Sequence, residues 1–164
     1  MAVWWLAIDE NQQNTSYEEL KYRKVVAQGW PALRNLVTLL PLVQAERRGP
    51  FCGAVQALYE CVYPEGQKTE VGRIMWQLLR LQAGDLVVGI EGRNVRGICQ
   101  LEHNGWDSYR YDDPAAYNYA HTVGCPVEWR DWEFGFTPQP PARGVPGIRA
   151  LQNDYQRVID AWER

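Results

Sequence analysis

Asp85-Leu86-Val87-Val88-Gly89-Ile90-Glu91 runs into Gly92-Arg93-Asn94 and returns as Val95-Arg96-Gly97-Ile98-Cys99-Gln100-Leu101-Glu102. Two β-prone runs joined by a Gly/Asn turn make a hairpin, because those residues reach the backbone conformations a tight connection demands. Upstream, residues 69–81 set Ile74, Leu78 and Leu81 in one stripe with Met75 beside it, which predicts a helix with Thr69 as its N-cap. Residues 52–63 repeat apolar side chains at Val55, Leu58, Tyr59 and Val62, a second helix, stopped by Pro64-Glu65-Gly66. Residues 33–43 have mixed spacing and a breaker at Pro41, so they read as irregular with at most one helical turn. Lys24-Val25-Val26-Ala27-Gln28 is a strand halted by Gly29-Trp30-Pro31, and Val3-Trp4-Trp5-Leu6-Ala7-Ile8 is a central strand. Between these, residues 9–16 are a polar loop and residues 17–20 a short turn.

Downstream of the hairpin, short β segments are expected at 108–111 and 119–123, with an extended stretch over 127–136. Residues 137–147 hold four prolines and two glycines and cannot be helical. Ile148, Leu151, Tyr155, Val158, Ile159 and Trp162 then predict a terminal amphipathic helix. The fold class is α+β, a small mixed β-barrel with helices packed outside. The expected organisation is a domain over 1–136, a Pro-rich connector over 137–147 and a C-terminal helix over 148–164 packed on that domain.

A chain of 164 residues fits one domain and can bury a core without staples. Eight Trp and nine Tyr stand against three Phe, a bias toward rings that combine an apolar body with a polar tip and so suit a stacking site. The formal net charge of −3 argues against a broad basic face for nucleic acid, but leaves room for recognition of a single extruded base. Cys52, Cys61, Cys99 and Cys125 form no C-x-x-C pair, so no zinc site, metal or other cofactor is expected. With no signal sequence and no membrane-length apolar run, the expectation is a cytoplasmic protein with reduced thiols that does not engage membranes.

The order of the pieces carries a resemblance. Trp4-Trp5-Leu6 is followed by Ala27-Gln28-Gly29-Trp30, by Trp76 in a helix, and by Ala83-Gly84-Asp85-Leu86-Val87-Val88. The hairpin returns through Arg96-Gly97-Ile98; Tyr109-Arg110-Tyr111, Tyr119-Ala120-His121 and Pro126-Val127-Glu128-Trp129 follow. Over about residues 3–130 this resembles the EVE-like domains of the PUA-like superfamily, relatives of the YTH and ASCH domains. The resemblance implies a PUA-like fold. It also implies a reader that encloses a modified, typically methylated, base in an aromatic cage, in DNA within restriction or defence systems, or in RNA in the YTH branch. An extruded base loses its stacking, and aromatic walls restore it at about 1–3 kcal/mol per base.

The residues then sort into roles. Trp30, between two backbone breakers, and Trp106, in a polar loop, are the candidate cage walls; each also has a packing or loop-anchoring reading. Tyr109, with Tyr111 on the same strand face, is either pocket floor or core lining. Asp9, Asn11 and Asn14 are candidates to bond the base edge, or else part of a solvated loop. Lys24, Arg93, Arg96 and Arg110 are the candidate phosphate contacts, provided they converge on one rim. His121 reads as a satisfied structural residue and Asp85 as a turn cap. No catalytic constellation is legible. The expected partners are modified DNA or RNA and an effector nuclease or other protein. The alternatives are an ASCH-like small hydrolase of modified nucleosides, or a protein-interaction module.

Overall fold

The computed structural model describes residues 1–8, 16–65, 69–141 and 147–164. In chain order the elements are β1 (Val3–Ile8), α1 (Ser16–Arg23), β2 (Val26–Gln28), 3₁₀ turns at Pro31–Leu33 and Val37–Leu39, α2 (Leu40–Gln44), α3 (Arg48–Val62) and α4 (Val71–Arg80). The hairpin strands β3 (Leu86–Glu91) and β4 (Asn94–Gln100) follow, then α5 (Gly105–Ser108), β5 (Arg110–Tyr111), β6 (His121–Val123), β7 (Arg130–Asp131), β8 (Ile148–Ala150) and α6 (Tyr155–Trp162). The chain is a mixed α+β fold.

The apolar runs at 3–8 and 86–91 are continuous because both strands are central and covered on both faces. β1 pairs in parallel with β3, Val3 opposite Leu86 through Ile8 opposite Glu91, and antiparallel with β8. The five-stranded sheet has the order β7-β4-β3-β1-β8. Alternation along the strands sorts their side chains. Leu6, Ile8 and Val87 pack into the larger core with α3, α4 and β2, whereas Val3, Trp5, Leu86, Val88 and Ile90 pack against Val158 of α6. A buried Leu, Ile or Val contributes roughly 1.5–3 kcal/mol, so these faces dominate stability. Gly72 lets α4 cross α3, since a Cβ there would lie 2.4 Å from the Cys52 carbonyl oxygen.

A second sheet, three strands in the order β2-β6-β5, is antiparallel, with Gln28 opposite His121. Among the described residues no ladder closes the two sheets into the expected barrel. Strands β2, β5 and β6 are only two or three residues long.

Other boundaries shift for local reasons. Residues 16–23 form a helix rather than a brief turn, and the buried Glu91 carboxylate accepts the Tyr17 N–H at its start. Helix α4 begins at Val71 after Glu70, and neither Thr69 nor Glu70 caps it through a side-chain bond. The helical spacing that includes Ile148 is misleading, because Ile148–Ala150 is edge strand β8 and the helix starts only at Tyr155. Asp85 does tie its turn: it accepts bonds from the Ala2 and Gln82 amides and from the Trp4 indole. No helix of the described residues is long and apolar enough to cross a membrane.

Candidate functional site

The chain leaves β2 at Gly29 and turns at Trp30, whose backbone is left-handed with φ 56°. Four residues on, Arg34 has φ 64° and ψ −171°, a region used almost entirely by glycine. Each such residue costs of order 1–3 kcal/mol and persists only where its surroundings over-determine it. Here they do. His121 Nε2 donates to the Trp30 carbonyl (3.1 Å) and the Tyr111 hydroxyl to the Pro31 carbonyl (2.6 Å). The amides of Ala32 and Leu36 donate to the hydroxyls of Tyr63 and Tyr109, both at 3.0 Å. Four aromatic side chains thus hold the turn by its own backbone.

His121 is fully buried and links two of these bonds. Its Nε2 meets a carbonyl, which can only accept, so Nε2 carries the proton and Nδ1 accepts from the Tyr109 hydroxyl at 2.9 Å. Burial pushes the His121 pKa down to about 4, and the bond to the Trp30 carbonyl opposes that only in part. The imidazole is therefore neutral at pH 7, and burial likewise raises the Tyr109 phenol above its ordinary range. The network holds the turn in place through the Trp30 carbonyl and the Leu36 amide.

Beside the turn opens a cavity of about 390 Å³, lined among the described residues by Gln28, Gly29, Trp30, Pro31, Tyr63 and Tyr119, with Ala7, Ser16, Asn118 and Gly147. That volume falls within the span of about 300–1,000 Å³ common to small-molecule sites. The cavity lies where the end of β1, the end of β2 and the approach to β8 come together. Gly147 has φ 94°, and a Cβ there would lie 2.6 Å from Ile74, so glycine shapes this wall. Trp30 is half-buried against the larger core, and among the described residues no ring or guanidinium stacks on it. Gln28 is 3% exposed, and its Nε2 is the one buried side-chain nitrogen or oxygen among the described residues without a hydrogen-bond partner.

Of the residues singled out by sequence, Trp30 lines this cavity. Tyr109 sits behind the turn, bonded to Leu36 and His121, and is not part of the wall. Trp106 lies on α5 under the Arg80 guanidinium, 5.2 Å from its ring centroid, and is likewise absent from the wall. Asp9, Asn11 and Asn14 lie outside the described residues. Lys24 pairs with Glu128 at 2.6 Å, and Arg110 with Asp112 at 3.3 Å. Arg96 is held by Glu91 and Glu18, while Arg93 is exposed at the hairpin turn. The structure does not bring these four cations together as free charge.

Sequence reasoning missed Gln28, Tyr63 and Tyr119 as lining residues. Tyr63 was legible as an aromatic at a helix end; the state of the Gln28 amide was not, because it depends on long-range packing. Among the described residues no cluster of His, Cys, Asp or Glu could hold a metal ion. Comparison with family models, with curated proteins and with solved structures returns no match.

Proposed function

We propose that the chain is a reader that takes a modified nucleobase, a methylated base turned out of DNA, into the cavity beside Trp30. One observation carries the reading: Trp30 lines a cavity of about 390 Å³ and sits on a turn whose carbonyls and amides are held by His121, Tyr111, Tyr63 and Tyr109. A rigid aromatic wall facing unfilled space suits a planar guest, and stacking is worth about 1–3 kcal/mol per base. A methyl group adds apolar area in a site that already has tyrosine walls. The ordered resemblance to EVE-like domains supports the same reading, including a PUA-like ancestry for the two sheets. With it come a restriction or defence setting in the cytoplasm and an effector nuclease as partner. Because Lys24, Arg96 and Arg110 are already ion-paired, affinity resides in the base more than in the phosphates.

The test is fluorescence anisotropy with labelled DNA duplexes, single strands and matching RNAs, each carrying one N6-methyladenine, one 5-methylcytosine or no modification. A modified DNA is expected to bind about tenfold or more tightly than its unmodified twin, and Trp30→Ala to weaken it by about 5- to 150-fold, the equivalent of one lost stack. Equal affinity for modified and plain strands contradicts the reading.

A further inference from the structure

Resting on that reading, we propose that Gln28 selects the guest: its side-chain Nε2 donates a hydrogen bond to an acceptor, a ring nitrogen or carbonyl oxygen, on the edge of the base stacked against Trp30. Gln28 ends β2, two residues before Trp30, and both line the same cavity. Its cross-strand partner is His121, which holds the Trp30 carbonyl, so the selecting amide and the stacking ring are fixed by one ladder. The amide is 3% exposed, yet its Nε2 has no partner among the described residues. A buried donor left unpaired weakens the empty protein, and natural folds rarely retain one without use. A guest acceptor would supply the missing bond. A guest presenting a donor or a C–H at that position would leave the amide unpaired, and discrimination by such a site exceeds what apolar contact alone provides.

Adenine offers ring nitrogens with no adjoining proton, and cytosine offers a ring nitrogen and a carbonyl, so either base can satisfy Gln28 in its neutral form.

The experiment uses the full chain and two variants, Gln28→Met, which keeps the length of the side chain but removes the donor, and Trp30→Ala. The modified oligonucleotide bound most tightly by the wild type is compared with analogues lacking one acceptor each. For N6-methyladenine these are the 1-deaza, 3-deaza and 7-deaza forms; for 5-methylcytosine, the forms lacking N3 or the 2-carbonyl. One analogue is expected to bind the wild type about tenfold or more weakly, and Gln28→Met to bind that analogue and its parent equally. In thermal melting without nucleic acid, Gln28→Met is expected to be as stable as the wild type or more so. If Trp30→Ala abolishes binding while Gln28→Met keeps the full acceptor dependence, the selection role is overturned and the base-reading role stands. If Gln28→Met lowers the melting temperature by several degrees, the amide serves the fold and the inference is overturned. If no oligonucleotide binds the wild type, the reader proposal falls and takes this inference with it.

Discussion

Two regions of the molecule treat their aromatic residues in opposite ways. Near the C-terminus a groove of about 510 Å³ runs between residues 130–136 and the end of α6. Its rings are already covered: the Arg130 guanidinium lies 4.0 Å from the Trp162 ring centroid and that of Arg157 4.1 Å from Phe136, with Trp132 set edge-on to Phe134 and Phe136. Arg80 sits over Trp106 and Trp76, Arg23 over Tyr117, and Arg96 over Tyr17. In the other region, Trp30 meets a cavity and no guanidinium among the described residues. The lesson is that abundance of aromatic residues does not locate a stacking site. What distinguishes Trp30 is the combination of a place in a cavity wall and a backbone held rigid behind it. The excess of 14 Arg over 3 Lys also acquires a physical use, since a flat guanidinium covers a ring in a way an ammonium does not.

The largest expected effect tests the rigidity of the Trp30 region. Folded protein keeps His121 neutral down to about pH 4, against an ordinary value of 6.5. Between those values the unfolded chain binds more protons, so stability rises with pH and is lost as pH falls from 6.5 toward 4. The full loss from this group is roughly 3 kcal/mol, read by urea unfolding across that range. In His121→Gln this component of the pH slope is expected to vanish; an unchanged slope would show that His121 does not hold the turn as described.

Next comes a direct exchange between the two kinds of ring. Trp106→Ala is expected to cost roughly 2 kcal/mol of stability, through lost packing and the lost Arg80 contact, and to leave DNA affinity unchanged. Trp30→Ala is expected to do the reverse, with binding lost and stability within about 1 kcal/mol of wild type. If both variants lose stability alike and neither loses affinity, the contrast between the two regions disappears.

A smaller effect concerns charge. With Lys24, Arg96 and Arg110 engaged by carboxylates, only one or two phosphates should be neutralised on binding. Raising salt from about 50 to about 200 mM should then weaken binding by only about 3- to 12-fold. A loss of a thousandfold would mean that the ion pairs open to a nucleic-acid backbone. Smallest of all, Arg130→Gln removes the cover of Trp162 and should cost about 0.5–1 kcal/mol of stability without touching affinity.

What could be read from the sequence was local. The hairpin at 85–102 was legible because its turn residues and β-prone strands are contiguous, and Trp30 stood out because Gly29 and Pro31 interrupt the strand around it. Trp129 is buried and donates to the Val25 carbonyl, and Trp132 packs on the α6 side. The rest depended on distant partners. Ile148–Ala150 becomes a strand only because β1 offers an edge. Arg80 covers Trp106 from another helix, so a Trp in a polar loop gave no local sign of being occupied. The carboxylates that engage Lys24 and Arg96 lie far off in the chain for Glu128 and Glu18, and their pairing removes charges that looked available.

The most direct measurement is the set of indole N–H resonances, one for each of the eight tryptophans, followed by ¹H–¹⁵N NMR as DNA carrying a single methylated base is added. Trp30→Phe identifies the signal of Trp30. The account predicts that this resonance shifts most, while those of Trp106 and Trp162 stay in place beneath their arginines. A shift confined to Trp106 or Trp162, with Trp30 unmoved at saturation, would contradict it.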